Sequence, residues 1–315
     1  MQLISVVIPA HNAATTIARA LDSIFAQGYD ALDIIVVDDC STDATTAVVE
    51  RYAGRGVRLI SLKPGRGAAG ARNAGIGAAR GDLIAFLDAD DEWLPGKLHK
   101  QVAELAKRPR TILVSCRSSL IAPNGANLGN VYGSLKPATG IDAWRTLLAY
   151  NFITTPSVLT YREALRDAGC FNPALKVAED QDMWLKLAMK GEVAYVDECL
   201  VLVHMMPNSL SSGDNVTDQL TYTLPMIMQH LRTRQSDLPR REYNRIIGRR
   251  LGHVGRQACG RGMYRVGITL TLRSVLAGYE PVGGLLFLAK SLPPMRWLKN
   301  WMVKMPIRRA SSAHQ

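Results

Sequence analysis

Apolar, β-branched runs alternate with stretches of helical spacing through the first 116 residues. Residues 3–8 form a continuous apolar run of strand length. Over residues 15–27, Ile17, Leu21, Ile24 and Phe25 recur on one helical face. A second strand is predicted at 34–37, followed by the helix-start signal Ser41, Thr42, Asp43. A strand at 57–62, a helix from about 68 to 80 and a strand at 83–87 continue the alternation. A proline-opened helix at 95–108 and a fifth strand at 111–116 complete it. Such alternation predicts a mostly parallel, doubly wound α/β sheet flanked by helices.

The rhythm changes after residue 116. The Gly/Asn-rich stretch 123–133 predicts a hairpin or a flexible loop. Shorter elements follow: a helix near 141–150, a strand near 157–161, a helix at 181–189 and a strand at 193–203. From about 216 onward only helices are predicted, at 220–233, 243–259 and 264–277, and no internal repeat is evident. The pattern divides the 315 residues into 1–215, itself in two halves meeting near 116, and a helical region 216–315.

Charge sharpens that division. The net charge is +11, yet residues 240–315 hold 15 Lys and Arg against 2 Asp and Glu, while the other 239 residues are close to neutral. A basic tail suits an anionic surface, either nucleic acid or the cytoplasmic face of a membrane. The five cysteines, Cys40, Cys116, Cys170, Cys199 and Cys259, show no metal or redox spacing and are expected to be buried thiols in a reducing compartment. The start lacks the features of a signal peptide. No run reaches the ~20 apolar residues needed to span a bilayer; the longest, 266–289, is broken by Arg273, Glu280 and Pro281. A cytosolic protein, lying on a membrane without crossing it, is expected.

The candidate chemistry lies just after the predicted strands. Asp88, Asp90 and Asp91 crowd three carboxylates into four positions beyond 83–87. They are either a solvated acidic turn or a site for a divalent cation and phosphate, since hard cations seek oxygen ligands. Pro9, Ala10, His11 and Asn12 follow the first strand, Asp38 and Asp39 the second, and the glycine-rich 65–73 the third. Carboxyl ends of neighbouring parallel strands converge on one crevice. Gly65, Gly67 and Gly70 match a dinucleotide fingerprint but follow the wrong strand for one, so Arg72 and Asn73 at the helix start are the better phosphate contacts. Ser41, Thr42 and Asp43 can cap the next helix, which leaves Asp39 to accept hydrogen bonds from a base or ribose. Glu179 and Asp180 open another helix, either as macrodipole acids or as a proton acceptor facing the crevice. His204 ends a later strand and is either structural or a phosphate or metal contact, whereas His230 and His253 have no supporting context.

Over about residues 3–213, the chain resembles the family-2 glycosyltransferases, inverting enzymes of GT-A fold. The resemblance rests on SVVIPAHNAATTIARALDSIFAQ, IIVVDDCSTDAT, GAAGARNAGIGAARGDLIAFLDADDEW and the later segment holding AEDQDMWLKLA, all in the family's order. It implies a GT-A catalytic domain over 1–215, with a nucleotide-binding half at about 1–116 and an acceptor half at about 117–215. It also implies a nucleotide-diphosphate-sugar donor, UDP-linked for preference, and a Mg or Mn ion. Pro9, Ala10 and His11 would frame the base, Asp39 would bond its edge, and Arg72, Asn12, Asp88 and Ala89 would lie on the nucleotide-sugar side. Asp90 would bind the metal, with Asp88, Asp91 and His204 about it. Asp180, or secondarily Glu179, would deprotonate the acceptor hydroxyl. His11 stands where an aromatic is common in the family, so stacking on the base is in doubt, and the QxxRW signature of processive synthases is missing. Transfer of a single sugar to a saccharide or lipid-linked acceptor in cell-surface polysaccharide synthesis is therefore expected.

The tail joins basic residues to apolar ones. Trp297, Leu298, Trp301 and Met302 share one helical face, the pattern of an interfacial helix, so peripheral membrane contact on the inner face of the plasma membrane is expected through 281–304. A helix packed on the preceding domain fits the same pattern. Two further readings stand beside transfer: a sugar-nucleotidyltransferase or other nucleotide-sugar enzyme, and a non-enzymatic nucleic-acid-binding protein. No nucleic-acid module accompanies the charge, so nucleic acid is not the expected partner.

Overall fold

Nine strands form one mixed sheet in the computed structural model, which describes residues 1–206 and 216–291, with side chains to residue 288. They are β1 (Ile4–Ala10), β2 (Leu32–Asp38), β3 (Val57–Ser61), β4 (Leu83–Phe86), β5 (Glu92–Trp93), β6 (Thr111–Ile121), β7 (Asn127–Asn130), β8 (Leu159–Tyr161) and β9 (Glu192–His204). The order is β3-β2-β1-β4-β8-β6-β9-β5, with β7 paired to β6. β3, β2, β1 and β4 are mutually parallel, as the alternation predicts. The predicted fifth strand does not sit beside β4. The three-residue β8 takes that place, antiparallel to both β4 and β6, and β6 runs parallel to β9 beyond it. A strand buried on both faces shows the same apolar run whichever way its neighbour points, so periodicity carries no direction.

The helices are α1 (Ile17–Phe25), α2 (Thr45–Glu50), α3 (Gly67–Ala78), α4 (Lys97–Ala106), α5 (Ala143–Ala149), α6 (Arg162–Asp167), α7 (Glu179–Ala188), α8 (Val216–Asp218) and, after a π turn at Gln219–Thr223, α9 (Leu224–Thr233). On one face of the sheet, Ile4, Val6, Ile8, Ile34 and Val36 join Ile17, Ala20, Leu21 and Ile24 of α1 in a single core. Burying each such aliphatic side chain contributes roughly 1.5–3 kcal/mol. On the other face, α3 lies so close that a Cβ on Gly75 would come within 2.3 Å of Val7 Cγ1. That approach accounts for the glycine at position 75. Phe86, Phe171 and Trp184 pack together at steep ring angles with centroids 5.5–5.9 Å apart.

The described residues form two compact units that divide between residues 235 and 236. α8 and α9, which the change of pattern near 216 groups with the tail, belong to the first: Met226, Ile227 and Leu231 of α9 are buried, and its His230 reaches Asp182 of α7. The second unit contains α10 (Arg240–Gly260), α11 (Tyr264–Leu276) and α12 (Pro281–Ser291). The expected interfacial face of Trp297, Leu298, Trp301 and Met302 lies outside the described residues. Among the described residues no helix is long and apolar enough to cross a membrane. The expectation of buried thiols holds for Cys116 and Cys259. Cys40 is exposed, on a left-handed residue (φ 63°) of the loop after β2, and Cys170 and Cys199 are half-buried.

Candidate functional site

The carboxyl ends of the first four strands are tied together by their own backbone. In register, Ala10 lies opposite Asp38, Asp38 opposite Ser61, and Val7 opposite Phe86. Beyond the register, the Asp39 N–H donates to the Ala10 carbonyl (2.8 Å), Leu62 to Asp38 (2.8 Å) and Leu87 to Val7 (3.2 Å). The loops bearing Pro9 to Asn12, Asp39, residues 65–67 and Asp88 to Asp91 therefore share one edge.

Each side chain there has local work. His11 Nδ1 lies 2.8 Å from the Asp39 carbonyl, which can only accept, so this nitrogen carries the proton. Asn12 adopts φ 50° and locks the first loop to the second, accepting from the Thr42 N–H (2.8 Å) and donating its own N–H to Ser41 Oγ (2.9 Å). Asp43 accepts from the backbone N–H groups of Ala14 and Thr45, at 3.1 and 2.9 Å. Asp39 is not left free by that arrangement. Its two carboxylate oxygens accept the N–H groups of Arg66 (2.6 Å) and Gly67 (2.8 Å), where α3 begins and Gly67 turns at φ 70°. The start of α3 has orphan N–H donors of its own, and an anion from the neighbouring loop satisfies them. The glycine run is thus closed by Asp39 rather than arranged around a pyrophosphate.

The acidic turn after β4 is held from three sides. Arg72 Nη2 donates to Asp88 Oδ1 (2.8 Å), Arg19 Nη2 to the Asp90 carbonyl (2.5 Å), and the His204 N–H to Asp91 Oδ1 (3.1 Å). Ala89 is buried between them. Burial, and then the charge of Asp88, push the Asp90 carboxyl above its usual range. Asp91, only 4% exposed, is pushed further by burial and by both neighbouring acids. Burial and the nearby Arg19 push the His204 imidazole down; its Nε2 lies 3.5 Å from Glu92.

The expected ligand set does not form a closed cage. Among the described residues no three His, Cys, Asp or Glu side chains are gathered to hold a metal ion. Asp88 faces Arg72, and Asp91 is turned to the backbone of β9. The donors still suit a hard cation: clustered carboxylate oxygens with raised proton affinity, few enough that diphosphate oxygens would complete the shell, as Mg ions commonly require.

A second acidic group opens α7, after Ala178 at φ 61°. Glu179 Oε1 accepts Arg72 Nη1 at 2.8 Å. Arg72 therefore bridges the two acidic groups, its guanidinium 5.5 Å from the Phe171 ring centre. Burial alone would lower its pKa, but Asp88 and Glu179 outweigh that and raise it. The two Nη groups expected near phosphate oxygens thus face carboxylates, and Nε is buried without a partner. Asn73 exchanges two hydrogen bonds with the Phe171 backbone, at 2.8 and 2.9 Å, fastening α3 to the loop before α7.

Asp180 differs from its neighbours. It accepts the Gln181 N–H (2.6 Å) and Asn151 Nδ2 (3.2 Å), yet burial, and then the charge of Glu179, push its pKa up to about 7. Asp182 is buried too, but its hydrogen-bond contact with His230 (2.7 Å) and its ion pair with Lys186 (2.6 Å) outweigh burial and hold it below the usual range. Four of these partners, Arg19, Asn151, Lys186 and His230, went unremarked or unplaced in the sequence. Lys186 alone left a local signal, its i+4 spacing from Asp182; the others reach the site from distant elements.

The family model described as "Glycosyl transferase family 2" matches residues 5–157. The putative teichuronic acid biosynthesis glycosyltransferase TuaG of Bacillus subtilis is 31% identical over 229 residues, 67% of this chain and 82% of that protein. A shorter stretch, 33% of this chain and 42% of the other, is 37% identical to WfgD of Escherichia coli, a UDP-Glc:alpha-D-GlcNAc-diphosphoundecaprenol beta-1,3-glucosyltransferase. Among solved structures, S. aureus TarS 1–349 in complex with UDP-GlcNAc superposes with TM-score 0.59 at 17% identity, over 95% of this chain and 92% of that one. The mannosyltransferase PcManGT of Pyrobaculum calidifontis, in complex with GDP-Man and Mn2+, gives 0.58 at 21%, over 96% and 88%. The architecture these chains share is GT-A.

Proposed function

The chain belongs to glycosyl transferase family 2 and is a glycosyltransferase, and we propose from that membership that it moves one sugar from a nucleotide diphosphate, with inversion, to a hydroxyl of a saccharide or lipid-linked acceptor. A role in cell-surface polysaccharide synthesis agrees with the teichuronic acid and diphosphoundecaprenol relatives, and a UDP donor with WfgD and TarS. Membership in the family chooses transfer over the nucleotidyltransferase and nucleic-acid readings. The catalytic region comprises the first compact unit, and the basic second unit keeps the enzyme at the inner face of the plasma membrane.

The observation that carries the mechanism is Asp180: a carboxyl raised to about 7, one residue from Glu179, which Arg72 links to the acidic turn. A general base works best with a pKa near the working pH. Asp180 takes the proton of the acceptor hydroxyl as its oxygen bonds to the anomeric carbon, while the bond from that carbon to the diphosphate breaks and the nucleoside diphosphate leaves. Pro9, Ala10, His11 and Asn12 border the base, and Asp39 sets the edge of that pocket by fixing the 65–67 loop. Asp88 and Ala89 line the sugar side, and Arg72 positions Asp88 and Glu179. Asp90, with Asp88, Asp91 and His204 near it, would hold a Mg or Mn ion, which when bound supplies charge neutralisation to the leaving group.

A thermal-shift panel of UDP-, GDP- and dTDP-sugars, with and without Mn, tests the donor assignment, because a ligand that binds the folded state raises its apparent stability. A UDP-sugar should give the largest, Mn-dependent shift. No shift with any nucleotide sugar would sink the reading.

A further inference from the structure

The second compact unit holds a cavity that the transfer reaction does not use. It measures about 490 Å³ and is lined by Arg241, Asn244, Arg245 and Arg249 of α10 and by Tyr279 and Glu280 of the turn after α11. The three arginines follow one another at four-residue spacing, so they stand in a row on one face of α10. Within the described part of this unit, ten basic residues face three acidic ones.

The row is fixed by close packing. A Cβ on Gly248 would meet Tyr279 Cβ at 2.6 Å, and one on Gly252 would meet Ser274 Oγ at 2.6 Å, so α10 lies directly against α11 and its turn. Ser274 Oγ also donates to the Gly248 carbonyl at 2.6 Å. The turn has a defined shape, with Gly278 at φ 79° and Glu280 at φ 43°. The one carboxylate at the cavity, Glu280, lies 3.7 Å from Arg256, two turns along α10 from Arg249. Three guanidinium groups thus line a cavity whose single acid already faces another arginine. Like charges at this spacing repel, and guanidinium forks match phosphate oxygens in pairs.

On either side of the turn that lines the cavity, Leu276 is 85% exposed, Val282 70%, Leu286 58% and Leu285 54%. A ligand with an anionic head and an apolar body suits a unit that joins a basic cavity to exposed apolar side chains. We propose that this cavity binds the phosphate-bearing headgroup of an anionic lipid, with Leu276, Val282, Leu285 and Leu286 entering the boundary with the acyl chains. The site lies in a different compact unit from the acidic turn, so the proposal stands or falls independently of the transfer chemistry.

Co-sedimentation of the full chain with phosphatidylcholine vesicles, with and without about one-third phosphatidylglycerol, tests it. Binding to anionic vesicles should fall at least about tenfold in R241E/R245E and also fall in L285N/L286N, with unchanged thermal unfolding of both variants. R241K/R245K keeps the charge but loses the forks, and should bind measurably less than the native chain. Lysine-variant binding equal to native would reduce the contact to net charge and overturn the pocket. Native-level binding by R241E/R245E would overturn the site itself. Pyrophosphate binding in solution that R241E/R245E abolishes, together with normal vesicle binding by L285N/L286N, would mark a free-phosphate site and overturn the lipid assignment.

Discussion

The two acidic groups of the catalytic unit look alike in sequence and behave differently in the fold. In the turn after β4, Asp91 is buried and Asp90 half-buried beside Asp88, and burial, then the charge of Asp88, raises both. At the start of α7 the acids diverge: Asp182 is held low by His230 and Lys186, while Asp180 rises to about 7. A cluster of like charges that shares one fate suits a cation. A pair driven apart by its surroundings suits proton transfer, because one group then titrates near neutrality while the other stays charged. Arg72 joins the two, with one Nη group on Asp88 and the other on Glu179.

Substitutions can separate the two roles, the most severe first. Asp90→Ala should abolish the Mn-dependent part of donor binding; an equal thermal shift with and without Mn would show that the turn is not the cation's site. Asp180→Asn should keep donor binding and lower turnover by about 10²–10⁴-fold, the usual worth of a positioned base. In the native enzyme turnover should rise with pH through about 7, as Asp180 loses its proton, and the variant should lack that step. The linked stability runs the other way. The raised folded pKa means that the fold favours the protonated acid, so its stabilisation is lost as pH rises through about 7. Asp180→Asn should therefore gain thermal stability over the native chain at pH 8 relative to pH 5, and a constant difference would contradict its burial as an acid.

Arg72→Met tests the bridge. It leaves Asp88 and Glu179 without their shared cation, and removing one member of a buried ion pair costs about 3–5 kcal/mol, an upper bound here because Asp88 is partly exposed. The alkaline shift of the turnover midpoint is the sharper readout, since the Arg72 charge helps to hold Asp180 down. A midpoint that stays in place would uncouple the two groups. The smallest effect belongs to Asp182→Asn, roughly 1–3 kcal/mol in urea at pH 7 for weakened contacts with Lys186 and His230. Because Asp182 is held below 3.8, its contribution is present above that value and is lost as pH falls further, so the gap between variant and native chain should narrow as the medium is acidified below 3.8. A gap independent of pH would assign Asp182 to packing alone.

The region 1–116 was the most legible. Its strands have apolar runs, the two-residue β5 excepted, α1 carries an apolar face, and each motif follows a strand. The strand expected near 157–161 is β8, but the six-residue α6 that follows it was not expected, being too short to show a period. The pairing of β8 between β4 and β6 rests on contacts with residues 74–78 and 45–47 positions away. The assignment of Asp39 failed in one respect for a similar reason. Capping rules weigh a side chain against the helix that follows it, whereas Asp39 closes a helix 27 residues further on.

The sequence by itself determined the composition of the site: which acids stand at strand ends, that they recur in the order of a known family, and that the positive charge lies in the tail. Those features are local or linear, and residue type and spacing express them. Which acid pairs with which cation follows from the fold. Arg72 and Glu179 are 107 positions apart, and His230 and Asp182 are 48 apart. The proton affinity of a carboxyl follows from burial and from charges within a few ångströms, and both are properties of the folded chain.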